Sequence, residues 1–110
     1  MPSLIRFGRA MALASVLALG AAASVQAQPA VKVSIDNFDF SPMTLSVPVG
    51  GTVSWTNNDD IPHTVRAVDG SFHSKPLDTG DSFSFTFAKP GVYSYFCSIH
   101  PKMLGKIVVK

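Results

Sequence analysis

Asp81-Ser82-Phe83-Ser84-Phe85-Thr86-Phe87 alternates polar and aromatic residues at every step, and Lys89-Pro90-Gly91 and then Val92-Tyr93-Ser94-Tyr95-Phe96-Cys97 follow it. A period of two puts successive side chains on opposite faces of an extended chain. The first stretch is therefore a half-buried strand, the Pro-Gly pair a turn, and the second stretch the next strand. The same period runs upstream through Val31, Val33 and Ile35, through Leu45, Val47 and Val49, through Val53 and Trp55, and through Val65 with Val68. Gly105 to Val109 supplies the last strand, Asp69-Gly70 marks a turn, and Ser71 to Gly80 reads as a polar loop. No helical periodicity of useful length occurs beyond the N-terminal region. The expected fold is all-β, a Greek-key β-sandwich of seven or eight short strands. Trp55 and the Phe stripe are read as core. Tyr93, just past Gly91, is placed to brace its own turn in the manner of a tyrosine corner.

The first residues carry a different pattern. Arg6 and Arg9 precede an apolar stretch from Ala10 to Ala23, and Val25-Gln26-Ala27 offers the small residues that a signal peptidase reads. This is the organisation of a secretory signal peptide. The expectation is a leader over residues 1–27, cleavage after Ala27, a single domain over residues 28–110 and a periplasmic location. No membrane anchor is expected after cleavage, because the apolar run is shorter than the ~20 residues of a spanning helix. Of the nine Lys and Arg residues, Arg6 and Arg9 leave with the leader, whereas all seven acidic residues lie beyond it, so the mature domain is near neutral. Without a clustered basic face, a nucleic-acid partner is excluded from the reading.

Export leaves the one cysteine, Cys97, in an oxidising compartment with no disulfide partner. Its neighbours suggest a use for it. Cys97-Ser98-Ile99-His100-Pro101-Lys102-Met103 sets a thiol, an imidazole and a thioether at three-residue intervals. His63, in Asp59-Asp60-Ile61-Pro62-His63-Thr64-Val65, lies where a turn-like polar stretch meets an apolar strand. Taken singly, a Cys is ordinarily a small buried hydrophobe, a His a surface or core residue, and a Met a gap filler. Taken together, His63, Cys97 and His100 with a long, weak axial Met103 make the donor set of a blue-copper site. Structural zinc favours several thiolates or harder ligands over a thioether. His73 is left over and is read as a surface loop residue.

The pattern His63-Thr64-Val65, then Gly91 to Cys97, then Cys-x₂-His-x₂-Met followed by Leu104-Gly105-Lys106-Ile107-Val108-Val109, resembles the small cupredoxins, the type 1 blue-copper family. The resemblance runs from about Val31 to Lys110. Within the family the short ligand loop is most similar to that of the amicyanins, since plastocyanin and pseudoazurin place two further residues between the second His and the Met. The resemblance implies a cupredoxin-like sandwich, one copper ion per chain, a monomer, and transfer of single electrons by Cu(I)/Cu(II) cycling. A periplasmic dehydrogenase and a c-type cytochrome are the partner classes it implies.

Two positions depart from the amicyanin pattern, which has Asn after the first copper His and Pro between the Cys and the second His. Here Thr64 and Ile99 stand there. The Thr64 backbone N–H remains available to the Cys97 sulfur, and its hydroxyl must take over the tie between the two loops. Ile99, unlike Pro, brings an N–H that is expected to donate to the same sulfur and favour Cu(I). The resemblance also implies an apolar patch around the His100 ring edge, for which Pro62, Ile99 and Pro101 are available. Lys102 replaces an aromatic residue at its rim and favours acidic partner surfaces.

A catalytic reading fares poorly. Multicopper oxidases and copper nitrite reductases need additional His-rich centres, and this chain has three histidines, two of them already assigned. The reading is an electron carrier and not an enzyme. The rival is a periplasmic copper storage or delivery protein, which Met-rich or His-rich tracts would favour; Met43 alone lies outside both the leader and the ligand set.

Overall fold

The period-two pattern becomes eight strands in a computed structural model that describes residues 29–110. The expected leader, residues 1–27, lies outside the described residues. In chain order the strands are β1 (Val31–Asp36), β2 (Asp39–Ser41), β3 (Thr44–Val47), β4 (Thr52–Asn57), β5 (Arg66–Ala67), β6 (Ser82–Thr86), β7 (Gly91–Phe96) and β8 (Leu104–Val109). They form one sheet in the order β2-β1-β4-β6 and a second in the order β3-β8-β7-β5. β1 runs parallel to β4 and β3 parallel to β8, while the remaining pairs are antiparallel. The all-β sandwich follows the sequence expectation. Among the described residues no helix is long and apolar enough to cross a membrane.

Alternation decides what each strand buries. In β4, Val53, Trp55 and Asn57 point inward and are buried, while Thr52 and Thr56 bond across to the hydroxyls of Thr86 and Ser82 on β6 at 2.7 Å each. Phe72 stacks on Trp55 with centroids 5.6 Å apart, and Tyr95 meets it edge-on at 5.4 Å. Truncating an aromatic side chain buried in this way costs about 3–5 kcal/mol. Along β7, Tyr95 is buried, and the same parity carries Cys97 into the sandwich just past the strand end. The Tyr93 hydroxyl donates to Lys89 O at 2.8 Å, the expected brace across the Lys89-Pro90-Gly91 turn.

Three expectations change. Val49 lies beyond β3 and is exposed, because the chain turns at Gly50. Val65 is buried and Val68 exposed, since three residues of separation along an extended chain put them on opposite faces. Ser71 to Gly80 is more than a polar loop: Phe72, Ser74 and Leu77 are buried, and bridges pair His63 with Leu77 and Arg66 with His73.

The β1–β2 hairpin has no counterpart in the sequence reading. Asn37 and Phe38 form its two-residue loop with φ of 52° and 61°. Positive φ at both loop positions marks a type I′ turn, where Asn-Gly is the favoured pair. A non-glycine residue held there costs about 1–2 kcal/mol, so Phe38 gives no local signal for the conformation it adopts.

Gly105 lies opposite Tyr95 in the β7–β8 ladder, and the Tyr95 ring crosses the space that a Cβ would fill. Gly105→Ala is expected to destabilise the domain by about 2 kcal/mol through overpacking. Urea unfolding of the metal-free domain from Gln28 checks this; an unchanged midpoint counts against the packing.

Candidate metal centre

The loop leaving β4 is folded by one buried amide. Asn57 Nδ2 donates to Ile61 O at 2.9 Å and to Leu77 O at 2.8 Å, and Asn57 Oδ1 accepts from Asp59 N at 2.9 Å. This places Asp59 against His63, whose Nε2 lies 2.9 Å from Asp59 Oδ2. The same carboxylate oxygen accepts from Phe38 N at 3.2 Å. His63 is also pinned by two backbone bonds to Leu77, of 3.1 and 2.7 Å. With Nε2 on the carboxylate, Nδ1 is the ring nitrogen free to bind a metal, and it sits 3.8 Å from Cys97 Sγ. The hydrogen bond from His63, followed by that from the Phe38 N–H, holds the Asp59 carboxyl below the usual range, against the opposing effect of burial.

The second loop closes on itself between β7 and β8. Cys97 N donates to Met103 O at 3.2 Å and Met103 N to His100 O at 2.9 Å. His100 Nδ1 is thereby brought to 3.8 Å from Cys97 Sγ. The donor atoms of His63, Cys97 and His100 all lie within 4.8 Å of one another. Met103 is buried at the far end of this loop, and His100 is partly exposed. His73 is exposed and takes no part in the cluster.

Thr64 joins the two loops. Its backbone N–H donates to Cys97 Sγ at 3.3 Å, and its hydroxyl accepts from Ser98 N at 2.7 Å while lying 2.8 Å from Ser98 Oγ and 3.7 Å from the sulfur. The hydroxyl thus makes the tie expected of it. The hydrogen bonds at the sulfur come from the Thr64 N–H and hydroxyl and the two imidazoles, and Ile99 makes none of them.

Burial alone pushes the Cys97 thiol up. The Thr64 N–H, the His63 and His100 rings and the His100 N–H pull the other way and win, bringing it from 9.0 down to about 6. Thiolate is the form that binds metal. A buried thiolate, two imidazoles and a thioether on the same loop fit copper by donor softness.

The family profile described as a cupredoxin-like domain matches residues 9–109. The chain belongs to the cupredoxin family. Amicyanin-alpha of Methylorubrum extorquens is 33% identical over 108 residues, which cover 92% of this chain and 91% of the relative. A purple cupredoxin from Nitrosopumilus maritimus superposes with a TM-score of 0.68 at 40% identity, covering 73% of this chain and 99% of that one. A copper-containing nitrite reductase from Thermus scotoductus superposes with a TM-score of 0.73 at 33% identity; 81% of this chain is covered but only 24% of that enzyme.

In this cupredoxin the sequence reading missed the residues that hold the donors. Asn57 shares the inward parity of Val53 and Trp55, which is a usable signal for a buried amide. Asp59 carries a weaker one, four residues before His63. Phe38 carries none. A depression of 420 Å³ beside His100 is lined by Phe38, Ile99, Pro101, Lys102 and Met103; Ile99 and Pro101 are there as expected, and Phe38 was not foreseen.

Two outcomes follow for the metal-free domain. The folded Cys97 value of about 6 lies below the ordinary 9.0, so the unfolded chain binds the extra proton between them. The thiolate's contribution to stability is therefore complete above the upper value, declines as pH falls through the window, and is lost below the lower one. Thiolate absorbance is expected to titrate near pH 6, with a urea midpoint that rises with pH across the window and a slope that Cys97→Ser removes. Thr64→Val, which keeps the N–H to sulfur and deletes the hydroxyl, is expected to cost about 1 kcal/mol in urea, most of it regained in Thr64→Ser.

Proposed function

We propose that this cupredoxin, processed to residues 28–110, is a monomeric periplasmic electron carrier. In this reading it holds one copper ion between His63, Cys97, His100 and Met103 and passes single electrons between redox proteins. The observation that carries the reading is the convergence of His63 Nδ1 and His100 Nδ1 on the buried Cys97 Sγ, each at 3.8 Å. The amicyanin relative supports it. Copper, when bound, supplies the one-electron couple.

The chain's own residues supply the rest. Asn57 and Asp59 orient His63 through buried hydrogen bonds. Thr64 and Ser98 lock the two loops together. Partners that hold ligand orientation in this way raise ligand basicity and tune a metal's potential. A site with so little freedom suits a metal that changes oxidation state without changing ligands. His100, the partly exposed member, lies beside the apolar depression and is the route for electrons. Lys102 at that rim favours an acidic face on a dehydrogenase or a c-type cytochrome. One cluster of metal-binding residue types among the described residues, in a chain that spans 24% of the nitrite reductase, supports a carrier over an enzyme.

The test is the visible spectrum of the domain from Gln28 loaded with Cu(II), before and after ascorbate. An intense thiolate-to-copper band that bleaches reversibly and is absent in Cys97→Ser is the expected result. A colourless protein that binds only Cu(I) and gives it up readily would replace this reading with copper storage or delivery.

A further inference from the structure

We propose that Phe38 is a positioning residue for both histidines: its ring braces the His63 and His100 imidazoles while its backbone N–H holds Asp59. One residue of the β1–β2 loop thereby clamps both loops of the metal centre. The inference rests on the copper reading above and gives a third loop a part in it.

Three independent features point to Phe38. Its backbone is at φ 61°, a conformation that is a genuine outlier for a bulky residue and that Gly adopts freely. The residue is 49% exposed, so burial does not account for an aromatic residue at this position. Its ring nonetheless stands edge-on to both imidazoles, at 5.7 Å and 85° to His63 and at 5.0 Å and 88° to His100. Those values lie within the preferred edge-to-face range for aromatic rings.

The backbone adds a second hold. Phe38 N donates to Asp59 Oδ2, and the same oxygen meets His63 Nε2, so one residue reaches His63 both ring to ring and through the carboxylate on its distal nitrogen. The hairpin itself gives no local reason for this geometry. Asp36 and Asp39 lie opposite each other beside the loop, a like-charge pairing that disfavours the turn. Phe40, buried against Tyr95 with centroids 4.7 Å apart, anchors the hairpin, and its loop projects over the metal centre. Backbone strain kept at such a place is accounted for by what the ring does there.

Phe38→Gly separates the ring from the backbone, because Gly relieves the φ and keeps the N–H. Three readouts test the clamp: thermal unfolding of the metal-free domain, ring-to-ring NOEs in the metal-free wild type, and the rate at which bathocuproine disulfonate strips Cu(I). The expected results are NOEs from Phe38 to both His63 and His100, a Phe38→Gly unfolding temperature equal to or above wild type, and copper release about tenfold faster in that variant. Phe38→Tyr, which retains an aromatic edge, is expected to restore the wild-type rate, and Phe38→Leu to fall between. Wild-type release from Phe38→Gly, a faster release that only tracks a lowered unfolding temperature, or missing NOEs would overturn the proposal. A wild-type domain with the NOEs but no thiolate-to-copper band supports the clamp and sinks the electron-carrier reading.

Discussion

A single buried sulfur atom sets the terms for one end of this molecule. Cys97 Sγ has no exposure to water, yet its thiol is drawn down to about 6. Burial works against a thiolate, since charge leaves water only when something replaces its hydration. Here the replacement is assembled from two loops. Thr64 follows the loop that leaves β4 in the first sheet, and His100 belongs to the loop that leaves β7 in the second. The sulfur is thus the point at which the sandwich is stitched across its end, and the geometry of both loops is constrained by the need to aim donors at it.

That constraint spreads outward in layers. His63 reaches the sulfur in the right orientation because Asp59 takes its other nitrogen, and Asp59 is in place because Asn57, at the end of β4, divides its side-chain amide between that loop and Leu77. Asn57 is buried because it continues the inward face of Val53 and Trp55. Strand alternation, the cheapest regularity in the chain, therefore fixes the position of a histidine several contacts away. On the other loop, the Cys97–Met103 and Met103–His100 backbone bonds make the ligand stretch a closed turn, and the Ser98 amide fastens it to Thr64. A centre held this way has little room to rearrange, which is the physical property a carrier of single electrons requires.

The strands and the Cys97-to-Met103 spacing were legible because both rest on local order. Alternation over Asp81–Phe87 and Val92–Phe96 reports strands directly, and the spacing from Cys97 to Met103 places three donors on one turn. The partition of Val65 and Val68 to opposite faces was legible in principle from their odd separation. Phe72 and Leu77 were hidden because their burial depends on Trp55 and on the bridge to His63, partners distant in sequence. The Ile99 N–H was expected at the sulfur because Ile, unlike the Pro of the amicyanin pattern, carries one, and the folded loop instead brings the His100 ring to the sulfur.

By itself, then, the sequence determined the all-β class and most strand positions, and it offered His63, Cys97, His100 and Met103 as donors whose chemistry suits copper, since periodicity and donor type are read residue by residue. Only the tertiary structure decided which groups surround that set: Asp59 behind His63, the Thr64–Ser98 tie between loops, and Phe38 over both imidazoles. Each of these depends on the meeting of segments far apart along the chain. The β1–β2 turn adds the sharpest case, because a phenylalanine in a glycine's conformation has no reason in its own neighbourhood and finds one only against the two histidines it meets in the fold.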